Sequence, residues 1–261
     1  MKHKILILSL SLQTIILTIV FYGVYNYYAP PRLRKAYQLS CHKNDTLRIA
    51  YIGDSWAFMH KDHECLIPEL LSDTLHCPVK VYSHGISGLT SKEVYESLYS
   101  DYGLKKFFQQ VKYDYCFVSV GINDTYKKMG TNYYRKSIDG IIQFLLANNI
   151  QPIILEIPDY NILKAYKYQK TKKKILRRLS MLINGTTIDC KQDFRDVLDE
   201  LIQEKGYQYK ISVIRYKSWN STYKNDLKFL YLNDGMHLNK YGYGILDSII
   251  AKIIIKKSLS Q

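Results

Sequence analysis

Acidic residues are scarce in this chain of 261 residues: 23 Asp and Glu stand against 37 Lys and Arg, leaving a formal charge of +14. Such an imbalance admits nucleic acid, anionic lipid or an acidic glycan as partner. The lysines are scattered, however, and only Lys170, Lys172, Lys173, Lys174, Arg177 and Arg178 form a dense run. Their helical spacing suits a solvated face, so no nucleic-acid partner is expected. Metal-type cysteine spacing is also missing, since Cys41, Cys65, Cys77, Cys116 and Cys190 contain no C-x-x-C pair. Cys65 and Cys77 bracket an expected helix that would hold them ~18 Å apart, beyond disulfide reach. Cys116 reads as a buried thiol in a central strand, and Cys41 sits too far from the apolar N-terminus to suit lipid attachment. Internal repeats and low-complexity segments are absent. The 25 Tyr residues invite sugar stacking, but the parallel richness in Lys, Ile and Asn points equally to biased composition.

Charge is lacking altogether from Ile5 to Tyr25, directly after Lys2 and Lys4. About 20 apolar residues suffice to cross a bilayer. The run continues into Tyr27, Tyr28, Ala29, Pro30 and Pro31, which makes a poor cleavage site for a signal peptide. Residues 1–25 are therefore expected to be an uncleaved membrane anchor, 26–46 a tether, and 47–261 one folded domain. Positive charges on both flanks leave the orientation undecided by count; the very short N-terminal tail favours an extracytoplasmic domain.

The remainder alternates strand-like and helix-like stretches. Strands are expected at Leu47–Ile52, Val79–Tyr82, Tyr115–Val120, Pro152–Ile157 and Tyr209–Ile214. Helices are expected at Glu64–His76, Ser91–Tyr99, Tyr133–Ala147, Asn161–Leu182, Phe194–Glu204 and Tyr241–Ile255. This alternation predicts an α/β fold with a parallel five-stranded sheet covered on both faces, and ligands bound beyond the carboxyl ends of the strands.

Several reactive residue types fall at those ends. Acyl transfer needs a nucleophile, a base, a group orienting that base, and donors for an oxyanion. Ser55 follows the first strand in Gly53-Asp54-Ser55, a triplet that ordinary turns also contain. Asp234 and His237, three apart across Gly235, can set a carboxylate against Nδ1 and leave Nε2 for a serine; alternatively Asp234 caps the last helix. Asn123 is a ready oxyanion donor, or the head of an Asx-turn. His60 and His63, with Asp62 and Glu64, are ligand types without a companion cluster and read as a solvated loop or helix start. His84 has no Asp at a matching offset and is not expected to be a base.

Taken in order, Ile52-Gly53-Asp54-Ser55-Trp56, the stretch Ser83 to Ser91 containing Gly88, Val120-Gly121-Ile122-Asn123-Asp124 and Asp234-Gly235-Met236-His237 resemble the four blocks of the SGNH/GDSL hydrolase superfamily. The resemblance spans residues 52 to 237. It implies a flavodoxin-like three-layer α/β/α fold without metal or organic cofactor. It further implies Ser55 as nucleophile, His237 as base, Asp234 as its orienting acid, and an oxyanion hole from the N–H groups of Ser55 and Gly88 with the Asn123 amide. Asp54 then stabilises the turn, while Trp56 and Tyr126 line the pocket or pack in the core.

The function expected is an extracytoplasmic esterase removing O-acetyl or similar groups from an envelope glycan. An O-acyltransferase using the same residues is the alternative, and a non-catalytic glycan-binding module a third reading. The basic region 158–233 is expected to be a lid, a glycan-binding surface or a face toward lipid head groups.

Overall fold

The computed structural model describes residues 2–40, 45–167, 169–219, 223–226 and 229–259; Cys41 lies outside them. In chain order the elements are α1 (Lys2–Tyr28), β1 (Leu47–Gly53), α2 (Ser55–His60), α3 (Ile67–Leu75), β2 (Val79–Gly85), α4 (Ser91–Ser97), α5 (Leu104–Gln110) and β3 (Tyr115–Ser119). There follow α6 (Ile122–Lys127), α7 (Thr131–Ala147), β4 (Gln151–Leu155), α8 (Ile162–Lys167), α9 (Thr171–Asn184), α10 (Lys191–Glu204), β5 (Ser212–Ile214), α11 (Tyr223–Asp226) and α12 (Lys240–Ser258).

All five strands are parallel, in the order β2-β1-β3-β4-β5. Central strands read as continuous apolar runs because both faces are covered: Ile49, Ala50, Tyr51 and Ile52 of β1, and Cys116, Phe117 and Val118 of β3, have no exposed surface. Helices α4, α7 and α10 pack together on one side, α3 and α12 on the other. The result is the expected three-layer α/β/α arrangement. Helix α12 shows why its sequence belongs there: Tyr243, Leu246, Ile250, Ala251 and Ile254 recur at helical spacing and are all buried. Burying each of the Leu and Ile side chains among them is worth roughly 1.5–3 kcal/mol.

Several elements differ in extent from the sequence expectation. The helix expected over Asn161–Leu182 is two helices, α8 and α9. The last strand has only three residues, because Tyr207 to Lys210 is still a turn closing α10, with Lys210 N–H on Tyr207 O. Helix α3 starts at Ile67, which leaves Cys65 outside it; Cys65 and Cys77 are both free thiols. The short helices α2, α5 and α6 carry too few residues for a periodicity signal.

Helix α1 contains a stretch, Ser9–Tyr28, long and apolar enough to cross a membrane, with mean hydropathy 1.3 and none of it buried. After it the chain lies against the domain: Arg34 N–H donates to Tyr95 Oη at 2.7 Å, Tyr37 Oη to Leu98 O at 2.9 Å, and Leu39 N–H to Asn148 Oδ1 at 2.8 Å.

Candidate active site

Strand β1 sits between β2 and β3, where the strand order reverses, so its carboxyl end lies at the switch point where α/β folds bind ligands. There the chain turns at Gly53, whose φ is +153° and where a Cβ would come within 2.0 Å of Ser119 O. Only glycine fits that conformation and approach. Asp54 follows, its N–H donating to Ser119 O at 3.1 Å and its Oδ1 capping α2 through Trp56 N–H at 3.0 Å. Ser55 is thereby the first residue of α2. Its N–H is one of the amides a helix start leaves without an intrahelical acceptor.

A second turn reaches the same place from β2. Ile86 N–H donates to Gly53 O at 3.3 Å, and a Cβ on Gly85 would lie 2.2 Å from Phe58 N, so α2 crosses directly over the end of β2. Gly88 has φ +84° with open space around a would-be Cβ. Its requirement is therefore conformational rather than steric.

From β3, Gly121 leads into α6, placing Asn123 beside Asp54. Asn123 Nδ2 donates to Asp54 Oδ2 at 3.1 Å, which leaves its second amide hydrogen available. Asp124 turns the other way and accepts Ser91 N–H at 2.8 Å and Ser91 Oγ–H at 2.5 Å, fastening α6 to the start of α4. Burial raises both carboxyls, Asp54 to about 7 and Asp124 to about 6.

The C-terminal piece is a turn preceding α12. Asp234 Oδ1 accepts the N–H groups of Met236 and His237 at 2.9 and 3.0 Å, and its Oδ2 meets His237 Nδ1 at 2.5 Å. His237 Nε2 lies 2.9 Å from Ser55 Oγ. Burial raises the Asp234 carboxyl, but the hydrogen bonds from His237 and Met236 outweigh it and hold the group below the usual carboxylate range. Asn239, not Asp234, caps α12, accepting Gly242 N–H at 2.9 Å.

Two positioning contacts leave no mark in the local sequence. Trp56 Nε1–H donates to Met236 O at 3.1 Å, and Tyr243 Oη–H donates to Trp56 O at 3.1 Å. Together they tie the serine helix to the histidine turn and to α12 across 180 residues or more of sequence. Trp56 is wholly buried, whereas Tyr126 lines two cavities. One, of about 550 Å³, also contains Gly88, Asn123, Lys127, Lys173 and Arg177. The other, of about 560 Å³, contains Lys164, Asn233, Asp234, Met236 and His237.

The expectation of a solvated loop at His60 is corrected by the structure. His60 is buried at the end of α2, with Nδ1 3.0 Å from Ser83 Oγ and Nε2 2.9 Å from Asp247 Oδ1. Asp247 Oδ2 in turn accepts Leu66 N–H at 2.9 Å. The sequence signal was remote, because Asp247 lies on α12. With Cys65 these residues form a cluster of potential metal donors, yet both ring nitrogens and both carboxylate oxygens are committed to protein partners, which suits a structural clasp. His84 lies on β2 beside Phe107, with ring centroids 5.3 Å apart, and burial lowers its pKa.

Among solved structures the chain is similar to a lipase/acylhydrolase from Enterococcus faecalis (18% identity, TM-score 0.53, covering 81% of this chain and 96% of that one). It is also similar to a psychrotrophic esterase from Pseudoalteromonas sp. solved in a form inhibited by monoethylphosphonate (15%, 0.53, 84% and 100%). An acetylxylan esterase from Geobacillus stearothermophilus is a third (16%, 0.50, 79% and 93%). At these identities the likeness establishes the fold. No curated protein matches by sequence. Residues 51–245 match the GDSL-like Lipase/Acylhydrolase family, and with most of the domain, from the serine turn to α12, inside that match, the chain belongs to this family.

Proposed function

We propose that the protein is a membrane-anchored serine esterase that removes small acyl groups, O-acetyl foremost, from an envelope or extracellular glycan. In this reading residues 1–25 anchor the chain, 26–46 lead away from the bilayer, and 47–261 act outside the cytoplasm. The observation that carries it is the continuous hydrogen-bonded path from Ser55 Oγ through both nitrogens of His237 to Asp234. With Nδ1–H directed at the carboxylate, Nε2 accepts the serine proton as Oγ attacks the ester carbonyl. The oxyanion develops toward the N–H groups of Ser55 and Gly88 and the free hydrogen of the Asn123 amide. Protonated Nε2 then delivers its proton to the departing alcohol, and water, activated by the same nitrogen, releases the acid.

Because the alcohol must be protonated by His237, its body belongs in the cavity with Lys164 and Asn233, and the carbonyl belongs above Gly88 and Asn123. The acetylxylan esterase among the structural neighbours supports a sugar ester, and the apolar α1 supports a substrate met at the membrane. The test is acetate release from an acetylated polysaccharide by the full chain, with Ser55→Ala alongside. Equal rates for the two proteins would rule out the serine. Acetyl transfer to a second sugar without free acetate would replace esterase by acyltransferase.

A further inference from the structure

Helix α9 is inverted relative to an ordinary surface helix. It rests on the domain and on the end of α1 through polar side chains: Arg177 lies 3.4 Å from the ring centroid of Tyr126, Ser180 Oγ is hydrogen-bonded with Tyr28 Oη of α1, and Asn184 Nδ2 donates to Lys128 O at 2.8 Å. Its apolar residues point outward instead. Ile175, Leu179, Leu182 and Ile183 are 53, 49, 81 and 54% exposed, and Leu176, 52% exposed, lies at the edge of this face beside the Asn123 cavity. At helical spacing these five share an arc of about 120°, with Arg177 and Asn184 on the far side and Ser180 at its flank. Lys172 and Arg178 are exposed at or beside that arc, and their stems are long enough to lie along it. A contiguous aliphatic face of this kind on a helix rich in Lys and Arg matches a helix lying in a bilayer interface.

The neighbouring anchor says which surface covers it. Tyr28, the last residue of α1, is bonded to Ser180. Gly23, Val24 and Tyr27 share the Asn123 cavity with Lys173, Leu176 and Arg177. We propose that α9 lies in the headgroup layer of the anionic bilayer that α1 enters, with its aliphatic face toward the acyl chains, so that the catalytic cleft opens at the membrane surface and takes esters held there. The proposal rests on α1 being the anchor and gives the esterase reading a class of substrate: sugars or other alcohols carried on membrane lipids.

The test uses the full chain in phosphatidylcholine–phosphatidylglycerol vesicles, with photoreactive benzoylphenylalanine replacing Leu182 or, as control, Tyr209. Tyr209 is 88% exposed just ahead of β5, at the sheet edge remote from the site. Lipid adducts are expected at 182, at least about tenfold over 209, and fewer when phosphatidylglycerol is omitted or salt is raised. Equal adducts at both positions, or crosslinks from 182 to a second copy of the chain, would overturn the proposal. A second variant, Leu179→Glu with Leu182→Glu, should keep its rate on a soluble aryl acetate and lose at least about tenfold on a lipid-tethered acetate. Equal effects on the two substrates would refute membrane feeding of the cleft. Absence of aryl acetate hydrolysis by the wild type, with lipid adducts intact, would count against the esterase reading and leave the docking standing. A chain that fails to float with vesicles would remove anchor and docking together.

Discussion

Replacing Asp54 by Asn separates what the serine turn costs from what it does. Asp54 is fully buried, and burial lifts its carboxyl from an ordinary 3.8 to about 7. A raised folded-state pKa contributes stability that is complete below the unfolded value and is lost as pH rises through the folded one. Near pH 5 the unfolded carboxyl is mostly ionised and the folded one mostly protonated, so unfolding releases a proton. Stability then falls by ~1.4 kcal/mol per pH unit up to about pH 7, roughly 3 kcal/mol in all. Asp54→Asn cannot titrate and should escape that loss. Asp124, raised to about 6 and itself one cause of the Asp54 shift, titrates in both proteins, so the difference between them reports position 54 together with its coupling to Asp124.

The same substitution should injure catalysis. Asp54 Oδ1 and Oδ2 accept from Trp56 N–H and Asn123 Nδ2; an amide at 54 has one acceptor and must either uncap α2 or set two donors against each other. Asn123 would turn away from the oxyanion, at a cost of about 10²-fold in kcat if the side chain supplies a full oxyanion donor. Denaturant titrations near pH 5 and pH 8 on both proteins, with aryl acetate kinetics, make the comparison. Parallel pH dependence of stability, or an unchanged kcat, would refute the reasoning.

Three further outcomes follow. Asn123→Ala should lower kcat about 10²-fold with little change in KM, since the donor acts on charge developing in the transition state; a pure KM effect would assign Asn123 to substrate binding. Asp234→Asn keeps an acceptor for the N–H groups of Met236 and His237 but favours the wrong imidazole tautomer. Because the Asp234 side chain is 48% exposed and water can share its work, a kcat loss of about 10²–10³ is expected, short of the ~10⁴ known for a buried triad acid; wild-type kcat would contradict it. Gly85→Ala places a methyl 2.2 Å from Phe58 N, so soluble expression or thermal stability should collapse, and a normal melting profile would show that α2 can shift.

The sheet was legible because buried parallel strands are apolar throughout and glycines mark their carboxyl ends, as Gly53 and Gly121 do. The candidate site was legible for a related reason: Ser55, Gly88, Asn123, Asp234 and His237 lie in short local blocks, each with its own turn chemistry. What escaped depends on contacts distant in sequence. Nothing near Trp56 announces Met236, nothing near His60 announces Asp247, and Asn123 gives no sign that its partner is Asp54. Helix α9 escaped differently. Its period was visible, but which face meets the domain is decided by Tyr126, Tyr28 and Lys128, all contributed from elsewhere.

The central claim, that Ser55 is the nucleophile activated by His237, is tested most directly by covalent capture. The full chain would be treated with a reactive phosphonate, the inhibitor class present in the Pseudoalteromonas esterase, and its peptides mapped by mass spectrometry. A single adduct on Ser55, formed in step with loss of aryl acetate hydrolysis and slowed strongly in His237→Ala, is the predicted result. Loss of activity with the adduct on another residue, or labelling of Ser55 at the same rate without His237, would contradict it.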